Sequence, residues 1–223
     1  MTQPTPIEPS RYQHFIFDLD GTLVDSASEI HEAASFICNK YGLSLPSLAY
    51  IRTKTGSPPG EFFLDHGCEP SQAQSLVAEF RQHLADYAGN PASVYPDVHD
   101  VLLQLSRAGR RISLATTKPT KLATILLDRY GLLSFFSHVQ GTDPPLKHKP
   151  NPDIVLACIA LAPSLSSVMV GDTTFDLEAA ERAGIDSIGV GVGAHGLERL
   201  RESDPSFLIN HMSELLAVVG FES

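Results

Sequence analysis

Cysteine is scarce in this chain. Its three residues, Cys38, Cys68 and Cys158, are far apart, odd in number and form no CxxC pair. That excludes a disulfide framework and a thiolate zinc site, and the three read as reduced core residues in a reducing, cytoplasmic setting. Positive charge is short as well. Sixteen Lys and Arg stand against 26 Asp and Glu, giving a net charge of −10 and a pI of about 5.3. With no basic cluster to set against this, neither a nucleic-acid backbone nor an anionic membrane is expected as a partner. Long apolar runs are also missing, and the tract "LLAVV" is far too short to span a bilayer. The opening "MTQPTPIEPSR" has no basic start and no apolar stretch behind it, so a frayed tail is expected and not a signal peptide. There is no internal repeat or low-complexity tract, and the nine histidines form no ligand pair. What remains is an ordinary globular composition, 43% apolar and 19% charged, long enough to bury a sizeable core.

Strand-like runs alternate with amphipathic segments. The runs are "YQHFIF" before Asp18, "RRISLATT" (110–117), "SHVQGT" (137–142), "SSVMVGD" (166–172) and "SIGVGVG" (187–193). Apolar residues at helical spacing lie between them, over 97–108, 119–130, 151–162 and 174–183. Pro119 and Pro152 fall where a first helical turn tolerates proline. The alternation predicts an α/β fold, a Rossmann-like parallel sheet doubly wound by right-handed crossovers. Residues 26–93 break the rhythm, with no convincing strand and helix-like segments near 28–41, 46–54, 59–66 and 71–88. A structureless loop of that length is implausible, so they are expected to form a helical cap inserted after the first strand. The core domain is then 1–25 and 94–223.

In an open parallel sheet, ligands gather at the carboxyl ends of the strands. There this sequence places Asp18-Leu19-Asp20, Thr116-Thr117-Lys118, Lys149, and Asp172 with Asp176 four residues on. Crowded carboxylates repel unless a cation joins them. Oxygen donors without cysteine or histidine point to a hard ion, Mg²⁺ for preference. Such an ion beside a lysine and a hydroxyl suits a phosphoryl group, and a carboxylate can serve as the nucleophile. Taken singly, each residue has a plainer role. A strand-end Asp caps a helix or forms a turn, Thr116 and Thr117 could cap the helix at Pro119, and Lys149 could be solvated. Together, in order at successive strand ends, they make a site.

The stretches "DLDGTLVDS", "TTKP", "KPNPD" and "VGDTTFDLEAAERAG" resemble, in order, the four motifs of the haloacid dehalogenase superfamily. The helical insertion resembles its C1-type cap, and the nearest likeness is to phosphoglycolate-phosphatase-like members. The resemblance implies a Mg²⁺-dependent phosphatase acting on a small phosphorylated metabolite through an aspartyl phosphate. It implies that Asp18 is the nucleophile and a metal ligand. Asp20 would be the general acid and base, its carbonyl a second ligand. Thr116 and Lys149 would bind the phosphoryl group, Asp172 would complete the metal shell, and Asp176 would support it. Gly21 fits a tight turn near the phosphate. Thr117 stands where relatives commonly carry asparagine and replaces its hydrogen bonding only in part. The presence of Asp20 disfavours the dehalogenases and the phosphonate hydrolases. A phosphosugar mutase of the same fold, and a non-catalytic phospho-ligand binding protein, are the alternatives.

Two further stretches matter. In "YIRTKTGSPPGEFF" a stiff turn holds Gly56 beside Arg52 and Lys54. If the turn faces the aspartates, one of these cations is expected to bind an anionic leaving group, the alternative being an exposed turn with solvated basic residues. Phe62 and Tyr87 could line the pocket, with core packing the simpler role. The GxGxxG at 191–196 follows the fifth strand, where a dinucleotide fingerprint has no business. Its glycines are expected to let the chain pass close to the sheet edge beside the site.

Overall fold

The strand β1 (His14–Phe17) is buried on both faces, as its unbroken HFIF run requires. The computed structural model describes residues 11–86 and 92–220. After β1 come the short strand β2 (Val24–Asp25) and four helices, α1 (Ala27–Tyr41), α2 (Leu48–Lys54), α3 (Gly60–Asp65) and α4 (Ala73–Asp86). The strand β3 (Ser93–Val94) follows, then α5 (Val98–Arg107), β4 (Arg111–Ala115), α6 (Thr120–Arg129), β5 (His138–Gln140) and α7 (Asp153–Ala160). The chain continues through β6 (Ser167–Gly171), α8 (Thr174–Ala183), β7 (Asp186–Val190), α9 (Gly196–Arg201), β8 (Phe207–Ile209) and α10 (Leu215–Val218).

Six parallel strands form one sheet in the order β5-β4-β1-β6-β7-β8. The chain builds outward from β1 through β4 to β5, then returns to the other side of β1 with β6. The order therefore reverses between β1 and β6, which opens a crevice at their carboxyl ends. Side-chain alternation splits the core between the two faces. Phe15 and Phe17 pack into the cluster containing Val101, Leu102 and Leu105 of α5, while Ile16 joins Ile154, Val155, Ala179 and Ala180 of α7 and α8. Each of the Phe, Ile, Leu and Val side chains, buried in this way, contributes about 2 kcal/mol. Helix α5 shows why it lies on the sheet. Its buried residues Val98, Val101, Leu102 and Leu105 fall on one stripe.

Two expectations need correction. The stretch read as free of strands reaches into β3, which pairs antiparallel with β2 to make a small ribbon where the four inserted helices leave and rejoin the core. A sixth strand, β8, extends the sheet beyond the five expected. Both are two or three residues long and are held by pairing with distant segments, so they carry little local pattern. The expected tail and Tyr87 lie outside the described residues.

His14 is the polar member of β1 and is fully buried. Its Nε2 lies 2.8 Å from Ser113 Oγ on β4, and its Nδ1 lies 3.1 Å from Ser167 Oγ on β6. Burial, together with Arg111 and His138, lowers its pKa from 6.5 to about 4. The unfolded chain therefore takes up this proton first. Its contribution to stability is complete above pH 6.5 and is lost progressively as the pH falls toward 4. Denaturant titrations across that window should show stability declining with acidification. A His14→Gln variant, weaker at pH 7, should decline less steeply over the same range.

Candidate active site

Backbone pairing carries β1 one residue further, since the Asp18 N–H donates to the Val170 carbonyl at 2.9 Å. The chain then turns sharply at Gly21 (φ +80°), whose N–H donates to the Val24 carbonyl at 2.8 Å. Asp172 lies just beyond β6, across the crevice, and both its oxygens are held. Thr22 Oγ1 donates to Oδ1 at 2.8 Å, and the Ala194 N–H donates to Oδ2 at 2.7 Å. The carboxylate is wedged between two glycines. A Cβ at Gly21 would lie 2.2 Å from Asp172 Oδ2, and one at Gly193 would lie 2.0 Å from it. The GxGxxG stretch thus presses bare backbone against an acidic side chain.

Lys149 occupies the centre. Its ammonium donates to Asp18 Oδ1 at 2.7 Å, to the Ala115 carbonyl at 2.9 Å and to Asp176 Oδ1. Burial alone would pull this lysine down, but Asp176 and Asp18 outweigh it and hold the ammonium above its ordinary value. The other oxygen of Asp176 accepts from Thr173 twice, from Oγ1 at 2.7 Å and from N–H at 3.0 Å, closing the capping box of α8. Asp176 therefore caps a helix and also positions the lysine.

Asp18, Asp172 and Asp176 are all buried, with one oxygen of each within 4.8 Å of the others. Three carboxylates against one ammonium leave two uncompensated negative charges, the charge of a divalent cation. The repulsion raises the proton affinity of the cluster. Burial pushes Asp18 up to about 7, Lys149 pulls against it, and Asp176 and Asp20 push it up again. Burial, Asp176 and Asp18 raise Asp172 well above the carboxylate range, against the pull of Ala194 and Thr22. An all-oxygen, over-charged cluster is what a hard metal ion relieves.

Asp20 sits beside this group, accepting from Ser26 Oγ at 2.5 Å and from the Lys118 ammonium. Thr116 is fully buried, and its hydroxyl accepts from the Lys118 N–H at 3.4 Å. Thr117 lines a cavity with Asp20 and Lys118. The structure therefore gathers Asp18, Asp172, Asp176 and Lys149 tightly, with Asp20 alongside. The three residues expected from the glycine turn are placed differently. Gly56 (φ +87°) presses on the loop after β6, its Cβ direction ending 3.1 Å from Thr173 Cγ2. Lys54 lines the cavity but is tied to Asp65 at 3.0 Å and Glu61 at 3.6 Å. Arg52 instead lines a separate cleft of about 220 Å³ beside Gly193 and pairs with Asp25 at 3.4 Å. Phe62 lines the first cavity and also packs on Phe63 and Phe80. His148 is exposed, its ring nitrogen 2.9 Å from the Lys149 carbonyl.

Lys118, Ser26, Thr22 and the Ala194 N–H were not singled out from the sequence. Lys118 had a signal, its place in "TTKP". The others are small hydroxyls or backbone and carry none.

A doubly wound sheet with a metal-ready acidic crevice at its switch point, roofed by inserted helices, defines a class of α/β hydrolytic enzymes. The family described as haloacid dehalogenase-like hydrolase matches residues 15–190, and the chain belongs to it. Similar curated proteins include "Probable phosphatase IndB" of Dickeya dadantii, 34% identical over 210 residues that cover 90% of each chain. Phosphoglycolate phosphatase of Vibrio cholerae is 33% identical, covering 91% of this chain and 95% of the relative. Among solved structures, a haloacid dehalogenase-like family hydrolase from Streptococcus pneumoniae superposes with a TM-score of 0.81. It is 25% identical, over 93% of this chain and 98% of that one. No described helix is long and apolar enough to cross a membrane.

Gly193 offers a direct test of how Asp172 is held. In Gly193→Ala the new methyl must displace the carboxylate, and affinity for a divalent cation should fall about 10–100-fold. Calorimetric titration of the folded variant with Mg²⁺ or Mn²⁺ reads this directly, and unchanged affinity would show that Asp172 does not serve a metal.

Proposed function

We propose that this chain is a Mg²⁺-dependent phosphatase that hydrolyses a small phosphate monoester, phosphoglycolate or a similar phosphorylated metabolite, through an aspartyl phosphate on Asp18. One observation carries the reading. Lys149 holds Asp18 by Oδ1 alone, and among the described residues nothing donates to Oδ2. That leaves one carboxylate oxygen for phosphorus inside an over-charged acidic cluster. Family membership and the names of the relatives support it. Mg²⁺, held by Asp18, Asp172 and the Asp20 carbonyl, would neutralise phosphoryl oxygens when bound.

The rest falls to the chain's own groups. Asp18 Oδ2 attacks phosphorus while the leaving oxygen takes a proton from Asp20. Lys149, steadied by Asp176, and the hydroxyls of Thr116 and Thr117 offset the charge of the transferring group. Gly21 keeps the turn free of a side chain where the phosphate approaches. An incoming phosphate competes for Lys118, and Asp20, released from that ion pair, can carry the proton it needs. Water then attacks the phosphorus of the aspartyl phosphate and gives its proton back to Asp20, which regenerates Asp18. Residues 26–93 act as the cap that shuts bulk water out, and 1–25 with 94–223 as the catalytic core. A cytoplasmic setting fits three free, buried thiols.

Turnover of p-nitrophenyl phosphate tests the reading. Hydrolysis should require Mg²⁺, stop on chelation, and fall by about 1,000-fold or more in Asp18→Asn. A folded wild-type protein that binds Mg²⁺ without turning over any ester would instead be a phospho-ligand binding protein.

A further inference from the structure

Asp20 lines the cavity under the inserted helices, while Asp18 and Asp172 do not. If Asp20 protonates the leaving oxygen, that cavity holds the leaving group. It encloses about 50 Å³, the room of a few water molecules, so the group it accepts is short. Three cations border it, and they differ in how they are engaged. Lys118 is paired with Asp20, and Lys54 with Asp65 and Glu61. The third is Arg81 of α4, half-buried between Phe80 and Leu84, which line the same cavity. Among the described residues it makes no hydrogen bond and no ion pair. Asp143 acts on it only from beyond ion-pair distance, and both oxygens of Asp143 already accept the Thr120 N–H at 3.2–3.3 Å. Burial lowers its pKa, the sign of a guanidinium short of hydration.

We propose that Arg81 determines substrate specificity, its planar fork receiving a second anionic group, a carboxylate or a phosphate, on the leaving-group side of the phosphate monoester. This rests on the phosphatase reading above. The guanidinium presents several donors in one plane, the geometry that carboxylate and phosphate oxygens match two at a time. Arg52 and Lys54, expected from the sequence to fill this role, are already paired within the protein.

Two pairs of esters test it. 2-Phosphoglycolate is compared with ethyl phosphate, and propane-1,3-diol bisphosphate with propyl phosphate, in wild type, Arg81→Met and Arg81→Lys. Wild type should favour the charged member of at least one pair. Arg81→Met should lower kcat/KM for that member about 100-fold while the member lacking the second anion stays within about threefold, and Arg81→Lys should recover part of the loss. The pair that responds identifies the anion as carboxylate or phosphate. Equal losses on both members would mean a structural role and overturn the proposal. So would hydrolysis without charge preference in wild type, or a preference that survives Arg81→Met. If wild type hydrolyses p-nitrophenyl phosphate but none of the four, the proposal alone is overturned; if it hydrolyses none of the five, the phosphatase reading itself falls.

Discussion

The ammonium of Lys149 is the constraint on which the rest of the structure depends. A buried lysine without partners loses several kcal/mol of hydration. Here the compensation comes from three separate stretches of chain, namely Asp18 after β1, the Ala115 carbonyl at the end of β4 and Asp176 in the first turn of α8. These meet only if β4 and β6 flank β1, which is the strand order observed. The same contacts that make the charge tolerable therefore select the topology. They also set the chemistry, because a lysine spent on Asp18 and Asp176 cannot neutralise Asp172 as well. The acidic excess that remains is stable only with a cation, or with protons standing in for one.

Most of this was legible in the sequence because buried parallel strands and their terminal acids share one local signature. An apolar run that stops in Asp, Thr or Gly-Asp announces both the strand and the polar groups gathered at its end. Legibility failed where an element or contact is made only in three dimensions. The strands β2, β3 and β8 are too short to show a period and owe their form to their partners. The pairing of Lys118 with Asp20 joins residues 98 positions apart. Arg52 and Lys54 were visible as cations near a glycine turn, but their nearest acids, Asp25 and Asp65, could be known only once the helices had packed. Arg81 sits in an ordinary amphipathic helix, and nothing local separates it from a solvated arginine.

The inserted helices do not simply hang from the β2–β3 ribbon. Buried Glu29 of α1 accepts from Arg129 Nη1 at 3.0 Å and from the Tyr130 hydroxyl at 2.6 Å. The same arginine donates to the Leu84 and Ala85 carbonyls near the end of α4, at 3.0 and 2.6 Å. One side chain of the core thus fastens the first inserted helix to the last, the helix that carries Arg81. At the α2–α3 turn the inserted helices meet the core again, where Gly56 lies against the loop after β6. The edge fastened by Arg129 is the one that presents Arg81.

Pairing state separates the charged residues of this protein by task. A cation already bonded within the fold must exchange one partner for another when substrate arrives, so its net gain is small and its main effect is to release the partner. Lys118, paired with Asp20, fits that description, and in the proposed mechanism its release frees a carboxylate for proton transfer. A cation that has lost part of its hydration to burial without gaining a carboxylate recovers the full difference from the first anion that reaches it. Arg81 is in that state. On the proposed function, catalysis and selectivity are accordingly divided between groups that trade partners at the sheet edge and one group on the roof that acquires a partner, and the division follows from where the acids fall in the fold.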